Sequence, residues 1–368
     1  MTYNKEKNLN MTNQMLDIYS DYLICQNKYA TATGLSDLLS GEISHDKITK
    51  YLNSEDLGSK ELWIYVKPKI RKHELKRGGA LILDDSIEEK PYTDENEIVA
   101  WHHSHAKGRH VKGINILSCL VSYGEVVLPF GYRIISKDVS FSEIETRKVK
   151  RKSSISKNQY FRNLIQKATE NQVLFDHILA DNWFGSKENM EFIQSLGKKF
   201  IIGIKSNRTV ALSGKDKKLG KFQPVSSLDM QDGESKKVWL KGVPFEILLI
   251  KKVFINENGS IGVLYLASND IEHDATYLYQ IYQKRWKIEE YHKSIKENAS
   301  LAKSPTKKMR SQANHIFASI IAFCKLEVMK VATATATNHF AIKYKLLVAA
   351  NIASMNELEN LRKNYALA

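Results

Sequence analysis

Hydrophobic and polar positions along this chain sort into short apolar runs and longer stretches of helical period. Ala80-Leu-Ile-Leu83 follows the pair Gly78-Gly79 and reads as a buried strand that ends in the carboxylates of Asp84 and Asp85, with Ser86 next. Apolar runs over 112–122 and 124–135 meet near Tyr123-Gly124, which predicts a hairpin. Residues 157–171 repeat with the helical period. The run from Phe175 to Ala180 reads as a second short strand ending in an acid, Asp181, with a helix expected near 186–196 and a strand over Phe200–Ile204. From about 206 to 260, glycines, prolines and alternating stretches such as Lys237-Val-Trp-Leu240 and Phe245-Glu-Ile-Leu-Leu-Ile250 predict an inserted β region. The first 75 residues are helical by pattern, and after Pro305 helices are expected over 311–331 and 340–365, packed on the core. The expected division is a helical region over 1–75, an α/β core over 76–300 and a C-terminal helical region over 301–368.

One segment carries most of the candidate chemistry. In Tyr282-Gln-Lys-Arg285-Trp-Lys-Ile-Glu289, read as a helix continuing to Lys296, positions 282, 285, 289 and 296 fall within roughly 60° at 100° per residue. Ile281, Ile288, Tyr291 and Ile295 occupy the adjoining apolar face, so one face packs and its neighbour is left to work. A carboxylate beside two cations and a tyrosine suits a site that holds a divalent metal and grips phosphates. The same spacing also describes exposed salt pairs, and an Asp after a strand is often a helix cap or turn residue. Three acids, on two strand ends and one helix, favour the site: hard cations such as Mg²⁺ or Mn²⁺ take oxygen ligands, and open α/β sheets bind ligands beyond the carboxyl ends of strands.

Composition narrows the partner. The 368 residues carry a formal charge of +14 and a pI near 9.3, which points to a polyanion, with nucleic acid favoured over a membrane surface. The N-terminal Met-Thr-Tyr-Asn-Lys has no apolar signal region and the stretch Ile316–Cys324 is too short to span a bilayer, so a cytoplasmic, nucleoid-associated protein is expected. Cys25, Cys119 and Cys324 are few and far apart, as expected of reduced core thiols. Near the N-terminus, Leu35–Leu39 and Ser44–Leu52 flank a turn at Ser40-Gly41 in the manner of a helix-turn-helix, whose second helix would present His45, Lys47, Thr49 and Lys50 to DNA. Trp239 is a packing residue or a platform for an unpaired base. His102, His103, His105 and His110 have metal-like spacing but no Cys pair, and read as a polar loop near DNA. The basic run Arg147–Lys152 reads as a solvated face or a DNA-backbone contact.

Asp85, Asp181 and the set Tyr282, Arg285, Glu289, Lys296 together resemble the insertion sequence 4 (IS-four) family of DDE transposases, over about residues 79–320. The family signature Y-(2)-R-(3)-E-(6)-K fits here at every position. Ala180-Asp-Asn-Trp-Phe-Gly-Ser186 is similar to its second-aspartate block, and Asp-Asp-Ser86 to its first, where the family usually has Thr after Asp. That preference favours Asp85 as the first acid, with Asp84 in reserve. The resemblance implies a mixed α/β, ribonuclease H-like core with an inserted β region. It also implies catalysis by Asp85, Asp181 and Glu289 holding two Mg²⁺ or Mn²⁺ ions about 4 Å apart. Tyr282, Arg285 and Lys296 would then hold phosphates near the cleaved end, and Tyr282 would not be a nucleophile. The implied activity is cut-and-paste excision and strand transfer at inverted-repeat DNA ends by a homodimer. A nuclease or resolvase on the same core, and a non-catalytic DNA-binding descendant, are the alternatives.

Overall fold

The computed structural model describes the chain except residues 1, 75–77, 105–106, 146, 148, 334–337 and 367–368, and of 2–12 and 364–366 only the backbone. In chain order the elements are α1 (Thr2–Cys25), α2 (Ala32–Leu38), α3 (His45–Ser54), α4 (Ser59–His73), β1 (Ala80–Glu89), β2 (Ala100–Ser104), β3 (Arg109–Tyr123), β4 (Val126–Ile134), β5 (Val139–Ser142) and β6 (Val149–Lys152). There follow α5 (Lys157–Glu170), β7 (His177–Ala180), α6 (Lys187–Ser195), β8 (Lys199–Ile204), β9 (Thr209–Ala211), α7 (Gly214–Lys218), β10 (Gln223–Pro224), β11 (Ser235–Leu240), β12 (Ile247–Ile255) and β13 (Ile261–Ser268). The chain closes with α8 (Ala275–Gln283), α9 (Trp286–Glu297), α10 (Met309–Ala332) and α11 (His339–Ala366). Among the described residues no helix is long and apolar enough to cross a membrane.

Two compact units divide these elements. One is a sheet unit of Tyr65–Ile87 and Asn115–Glu289, the other a helical unit of Met1–Ile64, Glu88–Ile114 and Glu290–Ala368. In the sheet unit the strand order is β10-β9-β11-β12-β13-β8-β7-β1-β3, and β3 also pairs β4. The two central pairings, β1 with β7 and β7 with β8, are parallel, while β8–β13, β12–β13, β11–β12 and β3–β4 are antiparallel. This is the mixed α/β sheet expected for the core. The parallel strands are apolar on both faces: all of His177–Ala180 is buried, and so are Ala80–Leu83 and Phe200–Ile204. Helices cover such strands on both sides, which is why the run is continuous rather than alternating.

Helix α5 supplies part of that cover. Ser156 caps it by accepting a hydrogen bond from the Gln159 amide, and Phe161, Leu164, Ile165 and Ala168 form its buried stripe. Phe161 stacks on Phe184 with ring centroids 4.6 Å apart, both side chains fully buried. Burying each ring contributes roughly 1.5–3 kcal/mol. The β3–β4 hairpin turns at Gly124, whose φ of 55° suits a residue without Cβ.

The structure adds to the expected pattern and departs from it in several places. Strand β1 does not stop at the acids but runs on to Glu89, so Asp84 and Asp85 lie within it. The segment from Tyr282 to Lys296 is two helices rather than one, because the chain tightens at Lys284–Arg285: the Lys284 amide donates to the Ile281 carbonyl and the Arg285 amide to the Tyr282 carbonyl, both three residues back. Helices α10 and α11 share the core of the helical unit with α1–α3: Tyr19, Leu23, Leu35, Ile48, Ala322, Leu326 and Ile342 are members of one buried cluster. Cys119 and Cys324 are core thiols as expected, but Cys25 is exposed, because it is the last residue of α1.

Candidate active site

Register places the first two acids. Leu83 of β1 lies opposite Ala180 of the parallel neighbour β7. The next residues, Asp84 and Asp181, therefore leave adjacent strands on the same face, while Asp85 projects from the other. Asp181 continues in extended geometry and its Oδ1 accepts a hydrogen bond from the Trp183 amide at 3.0 Å, which starts a short 3₁₀ turn over Asn182–Phe184. That turn is pressed against β8. A Cβ on Gly185 would meet the Gly203 carbonyl oxygen at 2.8 Å, and one on Gly203 would meet the Asn182 amide nitrogen at 3.0 Å, so only glycines permit the approach.

The electrostatics follow from burial. Burial and the neighbouring Asp181 and Asp85 charges push the Asp84 carboxyl up to about 8, against the Asp85 amide, which donates to its Oδ1 at 2.8 Å, and Arg285. Burial also raises Asp181 above the usual carboxylate range. Arg285, held in the tightened turn between α8 and α9, answers this charge: its Nη1 lies 3.2 Å from Asp84 Oδ2 and 3.2 Å from Glu289 Oε1. Burial opposes its charge, yet Tyr282, Asp84 and Glu289 together keep it more firmly protonated than usual. Glu289 sits in the first turn of α9, where the helix dipole favours a carboxylate. Tyr282 is buried, which pushes its phenol up to about 12 and keeps it a hydrogen-bond donor rather than a phenolate.

On the other face of β1, Asp85 is fully engaged. Its oxygens accept from Lys157 Nζ at 2.8 and 2.9 Å and from Asn115 Nδ2 at 2.8 Å. Lys157 also lies 4.8 Å from the centroid of the Trp183 ring, which is 46% exposed. Neither Lys157 nor Asn115 could be picked out by sequence reasoning: nothing in a lysine at the start of a helix, or an asparagine within an apolar strand, announces a partner 72 or 30 residues away.

Of the other candidates, Lys296 lies in the last turn of α9, within the helical unit, where its charge bears on Glu88. Trp239 is half-buried on β11, and Lys217 Nζ stands over its ring at 3.9 Å. Lys47 and Lys50 are exposed on α3, as are His45 and Thr49, and Ser44 caps that helix through the Lys47 amide. Six residues separate α2 from α3, more than the three or four of a compact helix-turn-helix. The histidines are not on a loop: His102 and His103 belong to β2 and His110 to β3, with His103 opposite His110. His105 lies outside the described residues, as does Lys148 of the basic run, whose Val149–Lys152 forms the strand β6 paired to β5.

No metal is part of the structure, so the fit of one rests on the donors. Among the described residues no three His, Cys, Asp or Glu side chains already converge closely enough to hold an ion. The Asp84–Asp181 pair nonetheless fits a divalent cation by chemistry: two partly buried oxygen donors from adjacent strands, with Arg285 supplying positive charge between Asp84 and Glu289.

A raised carboxyl has a sign. Asp84 ordinarily titrates near 3.8 and in the fold near 8, so between those values the folded chain binds the extra proton and stability falls as pH rises. Asp84→Asn removes that penalty. In metal-free buffer near pH 8.5 it is expected to melt roughly 3–8 °C above wild type, with the gain disappearing toward pH 4. A gain that stays constant with pH would show that the charge on Asp84 is not its cause.

Comparison with known families gives two overlapping matches. The family described as DDE superfamily endonuclease matches residues 7–218, more than half of the chain and including Asp84, Asp85 and Asp181. The family described as Transposase DDE domain matches residues 146–324, which include Asp181, Tyr282, Arg285, Glu289 and Lys296. No curated protein matches the chain.

Proposed function

Since the chain belongs to the DDE superfamily endonuclease family, we propose that it is a DNA transposase of the insertion sequence 4 type, cutting at the inverted-repeat ends of its element and joining the freed 3′ ends to a target. The observation that carries this reading is the convergence of Asp84 and Asp181 on one face of the sheet, with Arg285 linking Asp84 to Glu289. Register favours Asp84 over Asp85 as the first acid. The family typically uses divalent metal, and two Mg²⁺ or Mn²⁺ ions held by Asp84, Asp181 and Glu289 would supply the Lewis acidity for phosphodiester cleavage and strand transfer.

The residues of the chain have separable tasks in this reading. Asp84, whose carboxyl is pushed up to about 8, is largely protonated at neutral pH, and as one of the residues that would hold a cation it would be favoured as the carboxylate by that added positive charge. Arg285 then exchanges its carboxylate partners for a phosphate, which its planar fork suits. Tyr282 remains a phenol and donates to a phosphate oxygen. Lys157 pairs with Asp85 and offsets part of the negative charge that Asp85 exerts on Asp84 and Asp181. Lys296, Lys47 and Lys50 contact backbone phosphates, Trp239 receives an unpaired base, and two copies hold the two ends.

Cleavage and joining in Mg²⁺ on DNA carrying the inverted repeats that flank the reading frame tests this. Joined products that need the divalent ion are expected. Cleavage without joining would instead indicate a nuclease or resolvase, and binding with neither reaction a non-catalytic descendant.

A further inference from the structure

Strands β5 and β6 form a two-stranded sheet of their own within the sheet unit, and among the described residues neither pairs with any other strand. No residue of either strand is buried: Val139–Ser142 are all exposed, and of Val149–Lys152 only Arg151 is half-covered. A two-stranded ribbon on its own is marginal in water, since it has no packed face to rest on. The open end of this one is fastened by Asp138, whose carboxylate accepts from the Ser154 amide at 2.8 Å and from the Ser154 hydroxyl.

The ribbon's charge is one-sided. Residues 139–152 contain Arg147, Lys148, Lys150, Arg151 and Lys152 against Glu143 and Glu145. Three of the cations are consecutive on β6, where they repel one another unless an anion answers them. Register sorts the side chains between two faces: Ser140 lies opposite Arg151 and Ser142 opposite Val149 on one, Val139 opposite Lys152 and Phe141 opposite Lys150 on the other. The first face carries two hydroxyls, a guanidinium and an exposed valine, groups that meet phosphate oxygens, base edges and thymine methyls. On the second face Lys152 Nζ stands 5.5 Å from the centroid of the Phe141 ring, so an apolar stem and a charged head lie along the ribbon's side. The local partners of these cations are exchangeable. Lys150 pairs with Glu143 as a half-exposed surface pair of little worth, and Arg151 Nη1 reaches the Lys137 carbonyl only at 3.5 Å.

We propose that β5–β6 is a DNA-binding ribbon, laid in the major groove of duplex DNA with Ser140, Ser142, Val149 and Arg151 toward the groove floor and Lys150 and Lys152 on the flanking phosphates. Charge selects a polyanion, and shape selects the groove, which at about 12 Å wide admits a two-stranded ribbon. This role rests on the DNA substrate of the transposase reading but on no step of its reaction.

The test is binding of the full chain to a short duplex of random sequence, followed by fluorescence anisotropy in metal-free buffer over a range of salt. Lys150→Gln, Arg151→Gln and Lys152→Gln together are expected to lower the slope of log affinity against log salt by about 2–3, since each phosphate contact contributes about 0.9, and to weaken binding at low salt at least about tenfold. On a duplex whose cytosines carry glucosylated hydroxymethyl groups, which fill the major groove, wild type and variant should bind alike. Without any substitution, trypsin should cut the unbound chain after Lys150, Arg151 or Lys152, and the bound duplex should slow those cuts at least about tenfold, on the order expected when a site is covered most of the time. An unchanged salt slope, or cuts equally fast on the duplex, overturns the proposal. A deficit that persists in full on the glucosylated duplex overturns the placement in the major groove. Absence of cleavage or joining with these readouts intact would sink the transposase reading alone, whereas a wild type that binds no duplex sinks both.

Discussion

Alanine in place of Asp84 or of Asp181 is expected to leave less than about a thousandth of the wild-type strand cleavage, at the level usual for removing a group on which the chemistry depends. Both side chains leave neighbouring strands on the same face, and burial raises each carboxyl, so either substitution removes one of the two oxygen donors that the strand register brings together. Asp85→Asn is expected to behave differently. Its carboxylate is already paired with Lys157 and bonded by Asn115, so the variant loses an ion pair on the far side of β1 and retains activity within roughly tenfold of wild type. Gel-resolved cleavage in Mg²⁺ separates the two outcomes. If Asp85→Asn is dead and Asp84→Asn active, the first acid is Asp85 and the register argument fails. Cysteine at position 84 sharpens the test, because a soft thiolate ligand should work better with Mn²⁺ than with Mg²⁺, and partial recovery in Mn²⁺ alone would mark a direct ligand.

Much of this was legible in the residues, and what was not has a physical cause. Runs such as Ala80–Leu83 and Phe200–Ile204 announce buried strands because both their faces must be apolar, and the Tyr123-Gly124 turn appears because a hairpin needs a positive φ there. Helix α5 and its stripe follow from period alone. The choice between Asp84 and Asp85 could not follow from period, since adjacent strand residues point to opposite faces and only the register with β7 says which face matters. The break at Lys284–Arg285 was equally hidden: the side chains keep a helical spacing through it, while the backbone shifts from four-residue to three-residue bonds. That shift aims the Arg285 guanidinium at Asp84 and Glu289. The Lys157 and Asn115 contacts are long-range pairings that no local pattern encodes.

Phe184→Ala is expected to be the most damaging substitution outside the acids. The ring is fully buried and stacked on Phe161, and truncating a ring of that kind usually costs about 3–5 kcal/mol through lost transfer energy and the cavity left behind. It also closes the 3₁₀ turn that begins at Asp181, so its loss frees the carboxylate as well as the core. Stability and positioning can be separated with Gly185→Ala. That residue sits at an ordinary φ of −75°, so a methyl there carries no backbone strain, but its Cβ meets the Gly203 carbonyl oxygen and must lift the turn off β8. Overpacking of this size costs about 1–3 kcal/mol. If the turn positions Asp181, Gly185→Ala loses cleavage by at least about tenfold at a temperature where the protein remains folded, while DNA binding persists. Equal losses of cleavage and of folded protein, followed together by circular dichroism, would instead assign the whole effect to stability.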